Sequence, residues 1–318
     1  MSQHKNVLFI APQFAGYENE IIEAIQNKGY KVDFFAEKLY TFKYNLYKKF
    51  NIKHYLKLED IYLDSIIQFA KGRQYDFLIL IRGEIISQNF LDTLFRNAII
   101  KKKILYQWDS IENIPRVKTI IKYFDNVFSF DRNDCEKYKL NYLSLFYMQK
   151  YIRNDVRNEY DILFIGSDHS ERIKYIKQFK EISIQRNYKF KIILYMSFYS
   201  FLTKFLFDKN YKFLSFDDII LKKISIKEAY TEIKKAKVII DLPYSNQCGQ
   251  TMRTIETLSC DKKLITTNQC IKGESFYLSS YIKLIEDPLD NDFFNDSNQK
   301  NNIQDLEINN WINILMEK

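Results

Sequence analysis

Residues 161–182, DILFIGSDHSERIKYIKQFKEI, decide the reading of the chain. They run from a short apolar strand through a polar loop into a helix. They restart, in mid-chain, a pattern that opens near the N-terminus. There KNVLFIAP (5–12) is a strand. YENEIIEAIQNKGYKVDFF then places Ile21, Ile22 and Ile25 on one helical face, stops at Gly29 and enters a second strand. Such a strand–helix–strand unit starts a parallel sheet.

The alternation continues outward from both starts. LEDIYLDSIIQFAKG (58–72), SQNFLDTLFRNA (87–98, with Ser87 as N-cap), IPRVKTIIKYF (114–124) and DRNDCEKYK (131–139) read as helices. YDFLILIRG, KKKILYQWD, NVFSFD and LNYLSLFY read as strands between or after them. MQKYIRNDVRNEY (148–160) has no clear period and reads as a linker. Beyond it, FKIILYM, KVIIDLP, KLITTN and YIKLIED are strands, and SIKEAYTEIKKA carries a capping box at Ser225 and Glu228. A last helix bears Trp311, Ile312 and Leu315. The fold class expected is α/β, with two Rossmann-like doubly wound domains facing a cleft. They span 1–150 and 151–318, with the terminal helix crossing back to the first.

Composition narrows the function. The chain has 318 residues, 46% of them hydrophobic, enough for two cores. No stretch reaches the roughly 18 apolar residues of a membrane span and no signal pattern opens the chain, so a cytoplasmic protein is expected. The four cysteines form no CxxC pair and are expected to be free thiols, with no zinc site. A net charge of +8 fits anionic ligands or an anionic membrane surface, but no nucleic-acid module accompanies it. TFKYNLYKKF (41–50) suits contact with anionic lipid or a lipid-linked acceptor as well as it suits a plain covering helix.

In such sheets ligands bind at the carboxyl ends of strands, so the loops there matter most. APQFAGYEN (11–19) lacks the G-x-G-x-x-G fingerprint and is either a binding loop or a plain connection. Arg82 and Glu84 flank Gly83, where a surface ion pair is the simple reading. QWDSIENIPR (107–116) puts Asp109 and Ser110 at a strand end, as base or as helix cap. IGSDHSER (165–172) offers Gly166, Ser167, Asp168, His169 and Arg172 near a helix start. SNQCGQTMRTIETLSC (245–260) is the most pointed. Gln247, Gly249, Gln250, Thr251 and Met252 lead into a helix whose amino end favours a pyrophosphate. Arg253 adds a charged donor there. Glu256, three residues on, suits the hydroxyls of a ribose. DND at 290–292 matches a metal-binding D-x-D by letters but not by position, so no metal is expected.

WDSIENIP, VFSFDRNDC, LSLFY, DILFIGSDHSER, GQTMRTIETLSCDKKLITTN and ESFY resemble motifs of bacterial lipopolysaccharide and capsule glycosyltransferases. These are GT-B proteins with a C-terminal domain similar to the spore-maturation-type (CgeB-like) enzymes. The resemblance implies a C-terminal domain that binds a nucleotide-sugar donor, with Thr251, Met252 and Arg253 at the pyrophosphate, Glu256 at the ribose and Gly166 to His169 opposite. It implies an N-terminal acceptor domain, for which Gln13, Phe14, Gly16, Tyr17, Trp108 and Asp109 are the candidates. Relatives often carry glycine where Asp261 stands; Asp tolerates the left-handed conformation. Without a metal, the helix dipole and Arg253 would stabilise the leaving diphosphate. Asp109 is the first candidate base, ahead of Asp131 and Asp168. The function expected is metal-independent transfer of a sugar to a surface glycan or lipid-linked glycan. A nucleotide-sugar epimerase and a non-catalytic nucleotide-binding scaffold are the alternatives.

Overall fold

A computed structural model of the chain describes residues 5–152, 156–169, 171–244, 247–294 and 302–317, apart from the side chains of residues 42, 43, 45 and 291. Ser170, Ser245 and Asn246, the middle of the expected linker (153–155) and part of the polar run (295–301) lie outside the described residues. Two compact units result, one of Met1–Ser144 with Ile308–Lys318, the other of Leu145–Glu307.

The first unit holds a six-stranded sheet: β1 (Lys5–Ala11), β2 (Tyr30–Ala36), β3 (Gln74–Ile81), β4 (Ile99–Gln107), β5 (Asn126–Ser129) and β6 (Asn141–Tyr142). Their order is β2-β1-β3-β4-β5-β6, and every pairing is parallel. The order reverses between β1 and β3, so the loops after those two strands flank a switch point, where ligands of open α/β sheets bind. Val7 to Ala11 and Leu78 to Ile81 are buried without alternation, as a sheet covered on both faces requires. Trp311, on the Ile308–Glu317 helix, donates from its indole Nε1 to the Ser144 carbonyl at 3.0 Å and packs edge-on to Tyr106.

The second unit repeats the plan with β7 (Tyr160–Ser167), β8 (Phe190–Tyr195), β9 (Ile219–Ile220), β10 (Ala236–Asp241), β11 (Lys263–Thr266) and β12 (Ile282–Leu284). Their order is β12-β11-β10-β7-β8-β9, again all parallel, and the switch point falls between β7 and β10. Ile162, Phe164, Ile192, Val238 and Ile240 fill its core.

Caps set the helix starts as expected. Ser87 accepts from the Phe90 amide, and Ser225 and Glu228 close a reciprocal capping box. Asp261 sits at φ 57°, the left-handed turn its position demanded. Three expectations need correction. The helix expected over 114–124 is only Val117–Ile120 with one 3-10 turn after it, and the strand expected over 140–147 is only Asn141–Tyr142. The four-free-thiol expectation fails as well: Cys248 and Cys270 are disulfide-bonded, whereas Cys135 and Cys260 are free. The loop before the Met252–Ser259 helix and the turn after β11 bring the two Cα atoms to 5.4 Å, within bonding reach.

Candidate functional site

In the second unit the candidate residues gather around the switch point. Arg172, the first residue of the Arg172–Gln185 helix, spans it: Nε donates to the Leu242 carbonyl after β10 at 2.5 Å, and Nη1 donates to the Ser167 carbonyl at the end of β7 at 2.9 Å. Gly166 makes this possible. A Cβ there would stand 2.8 Å from Phe164 Cζ and 3.1 Å from Arg172 Nη1, so any side chain would displace the guanidinium or the ring. Burial, the largest influence, lowers the Arg172 pKa.

The Met252–Ser259 helix starts at Thr251, whose Oγ1 accepts from the Thr254 amide at 3.1 Å and donates to Asp241 Oδ2 at 2.5 Å. Thr254 Oγ1 donates to the same oxygen at 2.7 Å. Asp241, at the last position of β10, thus ties the strand end to the first helical turn. The amides of that turn have no intrahelical partners and carry the positive end of the dipole. Arg253 Nη1 donates to Glu256 Oε2 at 2.7 Å; the arginine side chain keeps 16% of its surface and the glutamate none. Arg253 Nε is buried and meets no hydrogen-bond partner among the described residues.

The loop leading into the helix is held from behind. Asn268, just beyond β11, donates from Nδ2 to the Cys248 and Gly249 carbonyls at 3.0 and 3.3 Å and to Gln250 Oε1 at 3.3 Å. Gln247 Nε2 donates to the Gly249 carbonyl at 2.8 Å. His169 stacks on Tyr244, ring centroids 4.0 Å apart. Burial first, then the Arg172 charge, bring the His169 pKa down to about 4, so its imidazole is neutral at physiological pH. Asp168 accepts from Lys204 Nζ at 2.6 Å and from the Tyr211 hydroxyl at 2.7 Å.

In the first unit a second group gathers at the ends of β1 to β4. The Phe14 ring stacks with Tyr17 at 5.9 Å and meets Trp108 edge-on at 6.4 Å, and Phe14 is 45% exposed. Gly16, at φ 98°, precedes the Tyr17–Asn27 helix, and the Gln13 amide donates to the Tyr40 hydroxyl at 3.1 Å. Arg82, at φ 75°, carries a backbone conformation rare for its type, a kind of strain concentrated at functional sites. Its guanidinium stands among three carboxylates: Glu84 at 3.0 Å, Asp109 at 3.7 Å and Glu37 at 3.8 Å. Asp109 keeps a third of its side chain in solvent and accepts from Asn113 Nδ2 at 2.9 Å. Glu37 is wholly buried, and burial, opposed in part by Arg82, lifts its pKa to about 7.

Three carboxylates have clear local duties. Asp131 caps the Arg132–Tyr138 helix, Asp134 accepts from the Ile111 amide, and Asp290 is paired with Lys283. Glu37 and Asp241 escaped the sequence reading. Both stand at the carboxyl end of a strand, in FFAEK and IIDLP, and the rule that picked Asp109 would have picked them.

No protein-family model matches the sequence, nor does any curated protein. Among solved structures the chain is similar to a glycosyltransferase from Rickettsia africae ESF-5, at 12% identity and a TM-score of 0.50 over 83% of this chain and 80% of that one. It is also similar to HepE from Anabaena in complex with UDP-glucose, at 10% identity and a TM-score of 0.50, with the same 83% and 80% covered. At such identities the likeness speaks for the fold: α/β, with two six-stranded parallel Rossmann-like units, as in GT-B glycosyltransferases.

Proposed function

We propose that the chain is a glycosyltransferase that moves a sugar from a nucleotide-sugar donor to a growing surface glycan of lipopolysaccharide or capsule type, without a metal cofactor. When the acceptor is lipid-linked, the work takes place at an anionic membrane surface. One observation carries the reading: the amino end of the Met252–Ser259 helix, flanked by Arg253 and Arg172, lies at the switch point of the second unit. Helix amides and guanidinium groups at such a place favour a diphosphate. The UDP-glucose held by the Anabaena protein of like fold supports a nucleotide sugar here.

The roles follow from the chemistry. In transfer the bond between the anomeric carbon and the diphosphate oxygen breaks, and the leaving group keeps the electron pair. Arg253, Arg172 and the first-turn amides meet that charge. On donor binding the Arg253 guanidinium turns from Glu256 to the diphosphate, and the freed carboxylate accepts from the ribose hydroxyls. Gly166, Ser167 and the His169–Tyr244 stack line the donor from the β7 side, and Asp168 fixes that loop. On the acceptor side, Phe14, Tyr17 and Trp108 give an aromatic face for a sugar ring, beside the backbone of Gln13 and Gly16. In an inverting transfer Asp109 takes the proton of the attacking hydroxyl as its oxygen bonds the anomeric carbon.

The test is turnover of a panel of nucleoside diphosphate sugars with and without a surface-glycan acceptor fraction. Acceptor-dependent release of nucleoside diphosphate, with label passing to the glycan, supports transfer. An altered sugar nucleotide without acceptor would point to an epimerase, and tight binding without turnover to a scaffold.

A further inference from the structure

Between Glu37 and Glu59 the chain carries six lysines (Lys38, Lys43, Lys48, Lys49, Lys53, Lys57) and no acidic residue. This stretch forms two helices, Phe42–Phe50 and the first turns of Ile52–Ala70, which share Asn51 as the C-cap of one and the N-cap of the other. Their inner face is pinned. Tyr44 and Tyr55 are buried with rings 4.9 Å apart, and the Tyr44 hydroxyl donates to the buried Glu59 at 2.6 Å.

The outer face is apolar and cationic together. Leu46 and Phe50, one helical turn apart, are 43% and 72% exposed; Ile52 and Leu56, one turn apart on the next helix, are 57% and 46% exposed. Lys48, Lys49, Lys53 and Lys57 are exposed around them. Lys49, Lys53 and Lys57 form no ion pair with any described residue. Exposed apolar side chains at helical spacing, ringed by unpaired lysines, match the chemistry of an anionic lipid interface. There the acyl boundary takes the apolar groups and the phosphates take the ammonium groups. A second copy of the chain fits poorly, because a two-fold contact would set lysine against lysine. Among the described residues no helix is long and apolar enough to cross a membrane.

We propose that the paired helices around Asn51 are the surface by which this chain docks on an anionic bilayer, with Leu46, Phe50, Ile52 and Leu56 entering the interface and Lys49, Lys53 and Lys57 reaching the phosphates. This deepens the reading of the acceptor as lipid-linked and rests on that reading for its purpose, but binding to lipid needs neither donor nor acceptor.

The test is flotation of the full chain with vesicles of phosphatidylglycerol mixed into phosphatidylcholine, against vesicles of phosphatidylcholine alone. Binding is expected on the anionic vesicles only and should weaken as salt rises. The triple variant Lys49→Glu, Lys53→Glu, Lys57→Glu should weaken partition by about tenfold or more, as should Phe50→Ser with Ile52→Ser, which leaves the charge intact. A charge-matched reversal at the exposed Lys122, Lys174 and Lys227 should cost much less. The proposal is overturned if both vesicle types bind alike, if the control reversal does as much harm, or if the wild type dimerises through this face instead. Nucleoside diphosphate binding, measured on the same variants without lipid, should be unchanged. Loss of that binding in the wild type would count against the glycosyltransferase reading and leave the docking result standing.

Discussion

Arg253 and Glu256 form a 2.7 Å ion pair at the start of the helix that opens the second unit's candidate site, and the glutamate has no exposed surface. A surface pair at this spacing would contribute little. A buried carboxylate is different: it holds the Arg253 guanidinium in place, and on the proposed reading a donor diphosphate would compete for that guanidinium. The Asp241–Thr251–Thr254 cluster beside it fixes the helix start to the strand end.

That cluster separates stability from binding. Thr254→Val removes one of the two hydroxyls that Asp241 accepts, and it should lower unfolding stability by about 1–3 kcal/mol. Donor affinity should change little. Thr251→Val should cost a similar amount through the lost cap, and it should also weaken nucleoside diphosphate binding, since the first-turn amides lose their anchor. Denaturant midpoints and binding isotherms on both variants check this contrast.

Glu37 should leave a signature in pH. Its folded pKa of about 7 lies above the ordinary 4.5. Between those values the folded chain keeps a proton that the unfolded chain has released. This group's contribution is therefore full below about pH 4.5 and is lost as pH rises through 7. Glu37→Gln keeps the shape and cannot titrate. From pH 5 to 8 the variant should gain on the wild type, by an amount on the order of 3 kcal/mol. Parallel denaturant curves across that range measure it, and parallel stability lines would remove the buried-acid account.

Asp109→Asn should lower kcat by about a hundredfold to ten-thousandfold if the carboxylate takes the acceptor proton. Donor binding should remain as in the wild type, because Asp109 belongs to the other unit. Steady-state rates with saturating donor, set beside donor binding alone, decide the matter; full activity would hand the role to another group.

Much of the fold could be read from the residues. Apolar runs such as VLFIA and FLILI, separated by helical spacing, marked the buried parallel strands, and Ser87, Ser225 and Thr251 marked helix starts. The Phe198–Phe207 helix is hard to tell from a buried strand in sequence, because FYSFLTKFLF is mostly apolar and only Ser200, Thr203 and Lys204, at helical spacing, mark a polar face. The Cys248–Cys270 bond has no signature at a separation of 22 residues; only the folded loops bring the two together. The site was legible where a cap, a glycine and an arginine crowd one loop. Glu37 and Asp241 stand at strand ends open to the same reading as Asp109, but their pairing shows only in the fold: Glu37 meets Arg82 from beyond another strand, and Asp241 takes the Thr251 and Thr254 hydroxyls once the next helix docks on the strand end.

The most direct test of the central claim is calorimetric titration of the wild type, Arg253→Ala and Glu256→Gln with uridine diphosphate, its counterparts of other bases, and inorganic pyrophosphate. The account predicts that Arg253→Ala weakens nucleoside diphosphate and pyrophosphate alike, by about tenfold to a hundredfold, whereas Glu256→Gln weakens only the nucleoside diphosphates. Unchanged affinity in Arg253→Ala, or no binding of any nucleoside diphosphate to the wild type, would contradict it.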